Sequence, residues 1–367
     1  MTGTHGNVEM FATDQPTAPN VLFRSKFREL TSLMSQKTLW FSWLPIALIC
    51  TAIASSLYWA QGTTPKSIEV IPWLIALFFV GMPHGAADLA VLQSKKSGAE
   101  ALTAFFFYLL CMGVISITYV IAPGISLIGF IILSLWHFGN TETSSGGASQ
   151  NLYERLATSC AKGGIVIGMP LAAWPDATAS VSTELIDLTR PARAVFGLPL
   201  LDSQLFSPTQ ILLMGSLLLF FALCSWIIIF LHFFPYKQPK EKQQIQRSMN
   251  DFFQYSLIGI LEFLVSPLFG IGIYFLIFHS WKQMPTLANH FLQPTAVTHP
   301  MRQVFVVHKA ALPLLIPTWI ILFLCWWALS SGLHFRDLAL LSLLVYLIVT
   351  PAHEILCSWL SSQKKTT

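Results

Sequence analysis

Charge is scarce in this chain: 10% of its residues are Asp, Glu, Lys or Arg, where an average soluble domain has about a quarter. With 54% hydrophobic residues and a mean hydropathy of +0.62, the scarcity excludes a water-soluble globular domain and implies a polytopic membrane protein. The formal net charge of +4 is scattered over loops. No basic stripe interleaves with stacking aromatics on a soluble face, which leaves nucleic-acid binding without support. Close cysteine pairs are missing too. Cys50, Cys111, Cys160, Cys224, Cys325 and Cys357 all lie in apolar segments, so neither a disulfide framework nor a thiolate metal site is indicated and they read as small core residues. Two-residue alternation is also lacking, and the long runs of Leu, Ile and Phe fit helices rather than a barrel. No internal repeat is evident.

What the chain does have is a series of apolar stretches. With roughly 20 residues per crossing, spans fall near 39–59, 70–92, 101–121, 125–138, 152–174, 211–234, 252–265, 267–282, 304–329 and 338–360. The fold class expected is therefore all-α, a membrane helix bundle of nine or ten transmembrane helices occupying residues 39–362. Residues 1–38 form a polar, mostly disordered cytoplasmic tail, and the first apolar run starts too late and runs too long for a cleaved secretory signal. A loop from Pro175 to Pro208 is expected between the fifth and sixth spans.

The count depends on Ser266-Pro267, in the middle of the stretch from Phe252 to Lys282. Ser followed by Pro is a helix-start signal, which favours two short helices over one long one. The positive-inside rule agrees. Arg24, Lys26, Arg28, Lys37, Lys95, Lys96 and the 237–247 loop are cytoplasmic, and only a break at Pro267 brings Lys282, Arg302, Lys364 and Lys365 to the same side. The expected setting is multi-pass in the inner membrane, both termini cytoplasmic.

Against this lipid-compatible background, three histidines stand out: His84 within the second span, His137 at the end of the fourth and His279 near the end of the eighth. A polar ring in a bilayer must find a partner or lose several kcal/mol, and neutral imidazoles meeting at one point suit a buried metal. Ten crossings put all three at one depth, while nine would send His279 to the opposite face. His84 and Asp88 share a helical face, so Asp88 is placed to accept the second ring proton of His84 and fix its tautomer. Gln283, four residues after His279, is a weak fourth donor. Each residue also has a plainer reading: His84 with Asp88 as a core pair, His137 as an interfacial ring, Lys282 and Gln283 as markers of the water boundary. His290, His299 and His308 read as loop or interfacial residues, one of which could supply a missing ligand. His353-Glu354 and Glu262 read as structural pairing, with cavity lining as the functional alternative.

Taken together, Gly81-Met82-Pro83-His84-Gly85-Ala86-Ala87-Asp88, His137-Phe138-Gly139 with an acid at Glu142, and Pro267-Leu268 leading through Tyr274-Phe275 to His279-Ser280 resemble the bacterial β-carotene 15,15′-dioxygenase family. Pro351-Ala352-His353 loosely echoes a late Pro-His of that family. The resemblance implies a helical membrane enzyme that holds Fe(2+) through four histidines and cleaves β-carotene with O₂ to two retinal molecules, with a retinal-accepting opsin as a possible partner. Carried over by motif, His84, His137 and His279 are catalytic metal ligands, with Asp88 and Glu142 as supporting carboxylates. The family's fourth histidine, in a His-Ser-x-Arg-His pattern, is replaced in His279-Ser280-Trp281-Lys282-Gln283. A three-histidine site leaves positions open for O₂.

Two other classes stay open: a non-catalytic carotenoid- or retinoid-binding protein of the same fold, and a proton-coupled transporter relaying through His84, Asp88, Glu262, His353 and Glu354. No internal repeat supports the transporter. Di-iron membrane desaturases lack support because their histidine clusters are absent.

Overall fold

The computed structural model describes residues 44–59, 69–141, 152–199, 206–233, 239–292, 299–330 and 332–363, so the polar tail lies outside the described residues. Among the described residues there is no strand. The helices are α1 (Leu44–Trp59), α2 (Ile71–Lys95), α3 (Gly98–Ile121), α4 (Pro123–Thr141), α5 (Leu152–Ala173), α6 (Pro175–Asp187), α7 (Arg190–Val195), α8 (Pro208–Phe233), α9 (Pro239–Leu264), α10 (Pro267–Ile273), α11 (Ser280–Ala288), α12 (Pro300–Leu329) and α13 (Phe335–Gln363). A π-helical turn, Tyr274–His279, joins α10 to α11.

Seven of these are long and apolar enough to cross a membrane: α2, α3, α4, α5, α8, α12 and α13. Their outward faces carry large apolar side chains such as Phe106, Leu213 and Ile321, as a lipid-facing surface requires. The other three expected spans are also helical, but shorter or more polar. The apolar part of α1 is Leu44–Ser55, α9 starts with a charged stretch around Lys240 and Arg247, and α10 opens only at the Pro267 break. Ser266 has the non-helical backbone of a start residue (φ −59°, ψ 153°), so the expected interruption is present.

The expected loop between Pro175 and Pro208 is corrected: it contains α6 and α7. Each begins with a proline in its first turn, where the missing N–H costs nothing. Leu185 and Ile186 of α6 are buried against Tyr119 and Leu340, which anchors the segment to α3 and α13. Glu184 pairs with Arg336 through two contacts of 2.6 and 2.8 Å. Buried Arg193 donates to the carbonyls of Ile121 and Pro199, satisfying an otherwise bare end of α3.

Close backbone approach sets the interior. A Cβ on Gly272 of α10 would lie 2.4 Å from the backbone N of Trp73 in α2, and one on Gly139 of α4 would lie 2.2 Å from Cα of Ser159 in α5. With no hydrophobic force to draw helices together in lipid, small residues at such crossings allow the dispersion contacts that hold a bundle together. Trp73 is fully buried at the α2–α10 crossing, and its indole N–H donates to Ser342 of α13. Gly272→Ala should therefore overpack the crossing and cost about 1–3 kcal/mol. Thermal unfolding in detergent should show a lowered midpoint for that variant. Gly113→Ala, which meets open space on α3, should leave the midpoint in place.

Candidate metal centre

Four helices each bring one histidine to the same buried point. His84 (α2), His137 (α4), His279 (end of the π-turn after α10) and His353 (α13) are 8%, 2%, 1% and 6% exposed. Their ring centroids form a closed circuit: His84–His353 5.1 Å, His353–His137 5.4 Å, His137–His279 5.0 Å and His279–His84 6.1 Å.

Local irregularities aim two of these rings. A π-turn, Leu77–Gly81, comes just before His84, and the second one ends on His279. A π-turn inserts an extra residue into the helical spiral and swings the following side chains onto a new face, which is why such turns recur at functional sites. The two π-turns meet each other, since Gly81 lies against the Phe275 ring, where a Cβ would come within 2.6 Å. Pro83 has no N–H to offer the Phe79 carbonyl one turn back. The His308 Nε2 of α12 sits 2.7 Å from that oxygen, placed to donate to it. His308 thus supports the site helix from outside the cluster. His299 instead caps α12, its Nδ1 accepting from the Met301 N–H at 3.3 Å.

Carboxylates hold the other two rings. Asp88 Oδ2 lies 2.8 Å from His353 Nδ1 and also accepts from the Tyr108 hydroxyl at 3.0 Å. Glu354 Oε2 lies 2.6 Å from His137 Nδ1, while its Oε1 accepts from Trp136 Nε1 at 3.0 Å. With Nδ1–H donated to a carboxylate, Nε2 is the lone-pair nitrogen of each ring. Nε2 of His353 also has Cys357 Sγ 3.4 Å away. The expected pairing of Asp88 with His84 on one face is corrected. The helix slackens at Ala87 (φ −69°, ψ −13°), the i,i+4 register is lost, and Asp88 serves His353 of α13 instead.

His84 Nδ1 and both ring nitrogens of His279 are buried with no hydrogen-bond partner. Buried polar atoms are rarely left so, and a neutral imidazole with an unclaimed nitrogen is what a metal would use. Ring spacing agrees in scale. At a metal–nitrogen bond of about 2.1 Å, neighbouring ring centres around one ion stand about 4.5–5.2 Å apart. As they stand, however, no group of three or more His, Cys, Asp or Glu among the described residues has its donor atoms spaced to hold a metal ion.

The four histidines line one wall of a cavity of about 170 Å³. Its remaining lining is almost wholly apolar, with Leu109 of α3 and Leu314 of α12 on the outer side; Leu109 is 48% exposed on the lipid-facing surface. The arrangement thus offers a nitrogen-rich point at the inner end of an apolar slot.

A model of the beta-carotene 15,15'-dioxygenase family matches residues 75–361, which includes every histidine of the cluster. The chain belongs to the beta-carotene 15,15'-dioxygenase family. It is 26% identical over 238 residues to the beta-carotene 15,15'-dioxygenase of uncultured marine bacterium 66A03, an alignment covering 60% of this chain and 74% of that protein. No solved structure matches it.

In this member of the dioxygenase family, sequence reasoning missed His353. The pattern favours structural pairing for His353-Glu354 over cavity lining, whereas the two residues diverge around α13, one joining the ring circuit and the other bracing His137. The available signal was Pro351-Ala352-His353 in a span that otherwise suits lipid. Gln283 is buried but does not line the histidine cavity, and none of His290, His299 and His308 lines it. Glu142 lies outside the described residues. Glu262 is buried far along α9, and neither of its carboxyl oxygens has a partner, which corrects its reading as a structural pair. Removing a carboxylate brace should be costly: Glu354→Ala takes the acceptor from buried His137 Nδ1, at about 1–3 kcal/mol, and from the part-buried Trp136 and Ser358 donors. The check is a lowered detergent melting midpoint, with Glu354→Gln, which keeps an acceptor, falling less.

Proposed function

We propose that this protein is an iron-dependent carotenoid 15,15′-dioxygenase in which His84, His137, His279 and His353 hold Fe(2+), with His353 rather than Gln283 as the fourth ligand. The observation that carries the reading is the circuit of four buried imidazoles opening onto an apolar slot. The donor chemistry fits iron, since neutral imidazole nitrogens suit it and three of the nitrogens are otherwise unclaimed. When bound, iron would supply O₂ activation, leading to addition of one oxygen atom to each carbon of the severed double bond to give two aldehydes.

The chain's own part is positional. Asp88 and Glu354 keep the protons of His353 and His137 on Nδ1, so both rings present Nε2 to the centre. Phe138 and Phe275 pack on His279, with ring centroids at 4.9 and 5.2 Å, and hold that ring in place without competing for its nitrogens. The apolar walls orient a polyene by shape alone and exclude the water that would divert a reactive oxidant. A carotenoid dissolved in the bilayer would reach the slot between α3 and α12, where Leu109 and Leu314 line it. Placement in the inner membrane with both termini cytoplasmic, and hand-over of retinal to an opsin, belong to the same proposal.

The binding-only reading draws on the ligand atoms, which are not at coordination spacing. Expression in β-carotene-producing cells separates the two. Retinal measured by chromatography and about one iron per chain by elemental analysis are the expected results, whereas bound pigment with neither retinal nor iron favours binding alone. His353→Ala should lower retinal formation at least about 10–100-fold, the cost of losing even an outer-shell partner of a ligand. Gln283→Ala should retain most of it; the reverse order would restore Gln283 as the fourth ligand.

A further inference from the structure

A second cavity, of about 120 Å³, lies elsewhere in the bundle. All four histidine-bearing helices also line it: α2 through Trp73, α4 through Phe130 and Ile131, α10 through Ile271, and α13 through Leu343. At 1.5 Å per residue, these positions stand about 10–16 Å along their helices from His84, His137, His279 and His353. The segments that carry the four histidines thus contribute to both linings, with the histidines themselves in the first.

What separates the slots is a layer of aromatic rings. Phe275 and Tyr346 belong to the lining on the histidine side, Trp73 and Phe130 to the lining on the far side. The rings touch, with centroids at 5.2 Å for Phe275–Tyr346, 6.0 Å for Trp73–Phe275, 6.2 Å for Trp73–Tyr346 and 5.6 Å for Phe130–Tyr346. The side chains of these four rings therefore stand between the two linings. The far cavity has no charged residue in its lining; of its three hydroxyls, those of Thr178 and Ser182 donate to backbone carbonyls at 3.4 and 2.9 Å, and that of Ser134 has no partner.

We infer that the second cavity is the receiving site for the distal arm of the polyene, and that Trp73, Phe130, Phe275 and Tyr346 form a gate through which that arm is threaded. The inference rests on the carotenoid reading and adds a requirement to it. A linear molecule cut at its middle must extend an arm of equal length on each side of the cutting centre. The first slot, opening towards lipid at Leu109, takes one arm; the partition and the cavity behind it take the other. The occupant of the far cavity is an unsubstituted hydrocarbon end ring, matching its apolar walls.

The test compares β-carotene with an apocarotenoid that keeps one end ring and stops just past the central double bond, so that its second arm is missing. Leu343→Trp and Ile131→Trp fill the far cavity from two different helices, so failure of one variant to fold leaves the other. In both, kcat/KM for β-carotene should fall roughly tenfold or more relative to that for the shortened substrate. Pigment retained by purified iron-free protein, read by absorbance, should show the same preference for the shortened molecule. Parallel loss on both substrates, or no loss on either, overturns the far-arm site. Failure of the unmodified protein to cleave or bind either substrate overturns the carotenoid reading itself, before any variant is compared.

Discussion

Two carboxylate–imidazole contacts, Asp88 to His353 and Glu354 to His137, tie three helices together at the buried centre of the bundle. Asp88 reaches from α2 to α13, and Glu354 reaches from α13 to α4. Burial strengthens the pairing of each of these carboxylates with its ring, and the two pairs help set how the three helices stand around their axes. The positions of His84 and His279 then follow from backbone rather than charge. The Gly272–Trp73 crossing sets the separation of α2 from α10, and the two π-turns decide where the rings point.

This division gives the site two kinds of histidine. His137 and His353 are held by acidic partners that set their tautomers, while His84 and His279 are held by packing and keep nitrogens free of hydrogen bonds. A buried metal would reconcile the two kinds, because it needs lone pairs from all four rings. The same helices continue past the centre into an apolar interior, so the proposed substrate path and the ligand set are carried by one scaffold. Family membership and the ring circuit converge without depending on each other: one comes from the pattern of the whole chain, the other from where four side chains end up.

Much of the fold was legible because lipid imposes a simple rule. Backbone polar groups must be satisfied within each segment, so long apolar runs have to be helices, and every expected span is helical. The Ser266-Pro267 break could be read from local chemistry, and with it the common depth of His84, His137 and His279. The segment between Pro175 and Pro208 was less legible, since its short helices are stabilised by Tyr119, Ile121 and Arg336, residues distant in sequence.

From the sequence alone came the helical class, the interruption before Pro267 and three buried imidazoles on separate helices, because each depends on composition or on neighbours within a turn or two. The tertiary structure decided the partners: that His353 rather than Gln283 completes the circuit, that Asp88 serves α13 rather than its own helix, and that two cavities line up behind the same rings. Those outcomes depend on the rotation of one helix against another. That rotation is set by glycine contacts, π-turns and ion–ring pairs between residues up to 265 positions apart, and no local pattern encodes it.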